Sequence, residues 1–182
     1  GSAMLHEISF QSFNQRDEVQ GWIYVPAAKP LGIIQLVHGF GEHSRRYLHM
    51  IVKFLEAGFI VAADDHVGHG KTAAAGGTWG DWGDKGPRTM MEDEHTFTGL
   101  VKERYPGLPY FLFGHSMGSF IARDYITAYG QELSGVTLRN HRRLSRPEGR
   151  HGHAPGRRGR RKGRGVRPQR RRGPDGLDVR PV

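Results

Sequence analysis

The sequence predicts an α/β fold with a largely parallel sheet, and three observations carry that prediction. Short, almost wholly apolar runs at residues 32–37, 59–63 and 109–113 read as strands buried on both faces. Residues 47–57, 88–104 and 117–129 carry apolar side chains at helical spacing. The two kinds of segment alternate along the chain, the order that gives a parallel sheet with helices on its faces.

Each element has its own warrant. Residues 5–12 alternate weakly, as a strand does, and 14–18 form a polar turn. Residues 19–25 are a clearer strand, with Trp22 and Tyr24 on one face and Ile23 and Val25 on the other. Together they read as an antiparallel hairpin, followed by a loop between Pro26 and Pro30. In the first helix the stripe is Leu48, Ile51, Val52 and Leu55, and Gly58 stands where a helix-ending glycine belongs. Strand 59–63 runs into a glycine-rich loop at 64–70. Residues 71–88, rich in Gly, Trp and charge, read as irregular. Helix 88–104 is stopped by Tyr105-Pro106-Gly107. After the helix at 117–129, in which Met117, Phe120, Ile121, Tyr125 and Ala128 recur, residues 133–138 begin one more strand.

Composition divides the 182-residue chain in two. Residues 1–138 hold 11 Lys/Arg against 15 Asp/Glu, the balance of an ordinary soluble domain. Residues 139–182 hold 16 Lys/Arg against 3 Asp/Glu and are rich in Arg, Gly and Pro, so the overall charge of +9 comes from this segment. Gly1-Ser2-Ala3 reads as an expression-tag scar, 4–138 as a domain core, and 139–182 as a basic tail. With no cysteine, disulfides and thiolate metal sites are excluded, which fits a cytoplasmic setting. No apolar run reaches the roughly 20 residues that cross a bilayer, and the N-terminus lacks a signal-peptide pattern.

The chemistry concentrates at Gly114-His115-Ser116-Met117-Gly118, which has the form G-x-S-x-G. A strand precedes it and a helix follows, the setting in which this pattern becomes a nucleophile elbow. Small residues at Gly114 and Gly118 let strand and helix approach, and the tight turn exposes Ser116. A serine hydroxyl needs a nearby base, itself oriented by an acid, and its oxyanion needs two donors. One donor is expected at the Met117 amide. The other is expected from the loop after an earlier central strand, where Gly39 and Gly41 let the chain turn and aim the Phe40 amide.

At these residues the sequence resembles the monoacylglycerol lipase and lysophospholipase branch of the α/β-hydrolases. His38-Gly39-Phe40-Gly41-Glu42-His43 with Arg46-Tyr47 is similar to that branch's H-G-x-G-E-H…R-Y signature. Asp65-His66-Val67-Gly68-His69-Gly70 is similar to its D-x-x-G-H-G loop, and the elbow matches too. The resemblance covers about residues 5–138, the N-terminal half of such a fold. It implies an eight-stranded sheet, a mobile cap, and hydrolysis of carboxylic esters bearing a lipid-like acyl chain, without a cofactor. It makes Ser116 the nucleophile and the Phe40 and Met117 amides the oxyanion hole. The partner is then a small-molecule ester; no nucleic acid and at most peripheral membrane contact are expected.

The family places its triad acid and histidine well downstream of the elbow, and no segment after Leu138 matches either. His141, His151, His153, Asp175 and Asp178 stand in no family pattern, so the triad acid and base are left unassigned. The last 44 residues read as a disordered basic tail, or as a GC-rich coding region translated in a shifted frame from about residue 138. As a basic patch the tail lacks aromatic residues for base stacking. The alternatives to a working esterase are a hydrolase-like fragment lacking its triad partners and a binding module acting through the tail. His38, His43 and His115 are expected to shape loops through hydrogen bonds. Asp65, His66 and His69 lack a convincing third metal ligand and read as a structural loop, so no metal is assigned. Trp79, Trp82 and Phe40 read as acyl-pocket lining or as buried packing.

Overall fold

The computed structural model describes residues 2–39, 43–86, 88–139 and 178–181, the last four and Met117 as backbone only. Seven strands form one sheet in the order β1-β2-β4-β3-β5-β6-β7. Strands β1 (Met4–Gln11) and β2 (Glu18–Val25) make the antiparallel hairpin expected from their alternation. Strands β4 (Phe59–Asp65), β3 (Gly32–Val37), β5 (Tyr110–His115) and β6 (Gly135–Arg139) run parallel in the centre. The tail contributes β7 (Asp178–Pro181), antiparallel to β6, where the sequence offered no strand pattern. The remainder of the tail lies outside the described residues. No described helix is long and apolar enough to cross a membrane.

Alternation along each central strand divides the core in two. Ile33, Val37, Ile60, Ala62, Tyr110 and Leu112 point to the face covered by α3 (Arg88–Arg104) and α4 (Met117–Tyr129). Ile34, Leu36, Val61, Ala63 and Phe113 point to the other face, which Tyr47 and α1 (Leu48–Glu56) cover. Both faces of β3 are buried, which is why it reads as a continuous apolar run. Gly58 ends the first helical segment at φ 95°, as its position predicted.

One element corrects the sequence reading. Residues 71–88 were expected to be irregular, but α2 (Gly70–Gly76) forms at their start. Three alanines favour helix there, and the Asp65 carboxylate accepts the Lys71 N–H at 2.9 Å. Thr72 Oγ1 donates to the Asp65 carbonyl at 2.7 Å, and Gly77 closes the helix in the left-handed region at φ 65°. The glycine count of the segment concealed its short alanine run.

The topology fixes where a site can be. From β3 the chain moves to β4 on one side, then crosses to β5 on the other. The carboxyl ends of β3 and β5 therefore flank a switch point, the crevice where open α/β sheets bind ligands.

Candidate active site

Ser116 follows directly on β5 and precedes α4 at this switch point. Its backbone is held at φ 56°, ψ −120°, and it is exposed. Gln15 and Ser116 are the two non-glycine residues with positive φ among those described. Such a conformation costs of order 1–3 kcal/mol and persists only where the surroundings enforce it. The enforcement is visible: Ser116 N–H donates to the Arg139 carbonyl at 2.8 Å, and the Ser116 carbonyl accepts the Ser119 N–H and hydroxyl at 2.9 and 2.6 Å.

The flanking glycines allow close approach. A Cβ on Gly118 would lie 2.1 Å from the Val37 carbonyl oxygen, and one on Gly114 2.5 Å from the Gly118 carbonyl oxygen. The N-terminus of α4 is thereby seated against the end of β3, where the second motif begins. Met117 is the first residue of α4, so its N–H is among those a helix start leaves without an intrahelical acceptor. Phe40 and Gly41 lie outside the described residues. Gly39 ends the described part of their loop, and its carbonyl holds His38.

His38 is buried with both ring nitrogens engaged. Nδ1 donates to the Gly39 carbonyl at 2.7 Å, and Nε2 accepts the His66 N–H at 3.0 Å. A carbonyl only accepts and an amide only donates, so the ring is neutral with its proton on Nδ1. Burial pushes His38 down to about 3. His66 Nε2 donates in return to the His38 carbonyl at 3.1 Å, and burial holds His66 well below the usual histidine range too. The two rings are 3.9 Å apart, so the loops after β3 and β4 are joined by neutral imidazoles. His69 Nδ1 donates to the Val67 carbonyl at 2.9 Å. His43 is different: its Nδ1 is buried without a hydrogen-bond partner.

Two residues of the sequence motifs act as anchors, one of them Asp65 in the loop that was expected to be structural. Tyr47 Oη lies 2.7 Å from His115 Nδ1, and Asp65 accepts the Ser44 N–H at 2.8 Å as well as that of Lys71. Their signal was positional, since both belong to the motifs at residues 38–47 and 65–70. Trp79 corrects the expectation of buried packing: it is 65 % exposed. Trp82 packs against the core face of α3 and α4.

Residues 28–140 match the serine aminopeptidase S33 family. The chain belongs to this family of α/β-hydrolases. The chain is 34% identical over 116 residues to a monoacylglycerol lipase of Mycolicibacterium smegmatis, a match covering 64% of this chain and 40% of the relative. It is 34% identical over 130 residues to the human monoglyceride lipase, covering 68% of this chain and 39% of that one. Among solved structures, a thermostable carboxyl esterase from Bacillus coagulans in complex with glycerol is 69% identical with a TM-score of 0.72. That match covers 74% of this chain and 43% of the esterase. The chain thus spans about two fifths of the length of these relatives.

A second polar centre lies between the sheet and α3. Glu94 interrupts the buried stripe of Met90, Phe97 and Val101. Its Oε2 accepts from Gln35 Nε2, and Gln35 Oε1 accepts from Tyr110 Oη and, at 2.7 Å, from Thr98 Oγ1. Burial pushes Glu94 up to about 7, and burial with the charge of Glu94 pushes Asp64 well above the usual carboxylate range. A charged residue at a helix position that periodicity assigns to the core is the signal that would have found it. An apolar cavity of about 200 Å³ lies on the α1 face, lined by Ile34, Phe54, Phe59, Phe111, Phe113 and their neighbours. None of its lining residues belongs to the elbow or to the loop at 38–43.

Proposed function

We propose that this hydrolase cleaves carboxylic esters of lipid-like substrates, monoacylglycerols or lysophospholipids, with Ser116 as nucleophile. The observation that carries the reading is the exposed, positive-φ Ser116 between β5 and α4, clamped by two glycines that tolerate no side chain. Ser116 Oγ attacks the acyl carbon and a base takes its proton. The tetrahedral oxyanion is held by the Met117 and Phe40 amides. It collapses by breaking the ester C–O bond, the alcohol leaves with the proton, and water releases the acid from the acyl-enzyme. The names of the monoacylglycerol lipase and carboxyl esterase relatives support an ester of glycerol as substrate. The partner is a small-molecule ester, and the reading calls for no cofactor.

We assign the base to neither His38 nor His115. The first has both nitrogens committed to backbone groups, and the second is tied through Nδ1 to Tyr47. The second reading, a hydrolase-like fragment without triad acid and base, follows from the commitment of His38 and His115 to other partners. Fluorophosphonate labelling separates the two. An active site gives a Ser116 adduct that Ser116→Ala abolishes, together with release of fatty acid from a monoacylglycerol. A folded protein that neither labels nor hydrolyses the ester overturns the first reading. An intact mass of 20.4 kDa with the written tail would overturn the frame-shift reading of residues 139–182.

A further inference from the structure

We propose that Asp64, His66 and Glu94 form a buried binding site for one divalent transition cation, of which Zn²⁺ is the representative. One donor atom from each of the three lies within 4.8 Å of the others. His66 Nδ1 and Glu94 Oε1 are 3.4 Å apart. Two ligands each about 2.0–2.1 Å from a common Zn²⁺ at a tetrahedral angle are separated by about that distance.

His66 Nδ1, Glu94 Oε1 and both Asp64 carboxylate oxygens are buried without a hydrogen-bond partner. The side chains of His66 and Glu94 are fully buried. Orphaned polar atoms are rare in folded proteins because each carries an unrecovered desolvation cost. Among the described residues no Lys or Arg pairs with either carboxylate. A cation answers two carboxylates and an imidazole lone pair together, and a proton shared by Asp64 and Glu94 is the competing arrangement.

The outer atoms of the same side chains are fixed, and each fixture aims a donor inward. Because His66 Nε2–H is committed to the His38 carbonyl, the Nδ1 lone pair faces the carboxylates. Metal-binding histidines characteristically donate their other ring N–H to such an acceptor. Glu94 Oε2 is occupied by Gln35, which leaves Oε1 for the site, and Gln35 is itself held by Thr98 and Tyr110. The donor set of one imidazole and two carboxylates suits zinc or manganese. The trio is distinct from Asp65, His66 and His69, which lacked a third ligand in the sequence. Asp65 points to the opposite face of the sheet, and α3 supplies Glu94 instead.

The test is zinc content and thermal stability of the full chain, expressed in zinc-supplemented medium and purified without chelator. One equivalent of zinc is expected, with a melting temperature that falls on stripping and returns on reloading. Glu94→Gln and Asp64→Asn are expected to reduce retained zinc at least tenfold. Replacing His141, His151 and His153 together is expected to leave retention unchanged. Trace zinc in the unaltered chain, or loss of retention on replacing the tail histidines, overturns the site. So does unchanged retention in the Glu94 and Asp64 variants. If both variants fail to fold, Co²⁺ substitution of the unaltered chain decides. Visible d–d bands that survive gel filtration and persist in the tail-histidine variant support the site, and their absence overturns it. In the latter case Asp64 and Glu94 share a proton in place of a metal.

Discussion

Tyr47 Oη lies 2.7 Å from Nδ1 of His115, with the two rings edge to face at 5.6 Å. This contact ties the turn before α1 to the residue that precedes Ser116. It therefore couples the two motifs that would have to supply nucleophile and oxyanion donors. Tyr47→Phe keeps the ring and removes the hydroxyl. The expected cost is about 1–2 kcal/mol for a buried hydrogen bond, a fall of several degrees in melting temperature. An unchanged melting temperature would show that the bond contributes nothing to holding the elbow.

Gly118 and Gly99 predict opposite outcomes for the same substitution. A Cβ at Gly118 would meet the backbone oxygen of Val37 at 2.1 Å, and backbone in a central strand cannot step aside. Gly118→Ala is expected to prevent folding or to cost several kcal/mol, on the order of the largest single-residue effects. Gly99 is exposed within α3, and an added Cβ there meets nothing within 4 Å. Gly99→Ala should stabilise by about 0.5–1 kcal/mol through helix propensity. Urea midpoints of the two variants check both signs, and a tolerated Gly118→Ala would refute the close seating of α4 on β3.

The sequence was legible wherever one physical rule dominated. Strand β3 is buried on both faces, so its apolar run had one interpretation. The elbow was legible because its turn requires small residues at Gly114 and Gly118, and the clearances at both positions match that requirement. Helix α2 was missed because glycines surround its three alanines, and the helix depends on a side chain, Asp65, that lies before it in sequence. Glu94 was missed because helical periodicity counts apolar residues and passes over a charged one whose partners are Gln35 and His66 on other elements. Strand β7 has four residues paired with an edge, and local pattern carries little information about a strand so short.

The backbone at Ser116 yields a prediction independent of chemistry. Ser116→Ala retains a Cβ at φ 56°, whereas Ser116→Gly removes it. Glycine occupies positive φ without steric penalty, so the glycine variant should recover part of the strain. It is expected to be more stable than the alanine variant by about 1 kcal/mol. Both variants should lose fluorophosphonate labelling if Ser116 is the nucleophile. Equal stability would mean that the turn stores no strain.

Asp17 gives the fold an acid-sensitive point. Its buried carboxylate receives Arg16 Nη2 at 2.8 Å and Asn14 Nδ2 at 2.8 Å. Burial alone would push the carboxyl up, but the hydrogen bonds from Arg16 and Asn14 outweigh it and hold Asp17 below its ordinary value. The unfolded chain therefore binds the proton more readily than the folded one. The stabilisation is fully present above the unfolded value of about 3.9, and it is lost as pH falls through the lower folded value. Asp17→Asn removes the titrating group while keeping its shape. Urea unfolding should show the variant less stable than the unaltered protein at pH 6, with the gap narrowing steadily below about pH 4. A gap that stays constant to pH 3 would mean that Arg16 and Asn14 do not hold the carboxylate in its charged form.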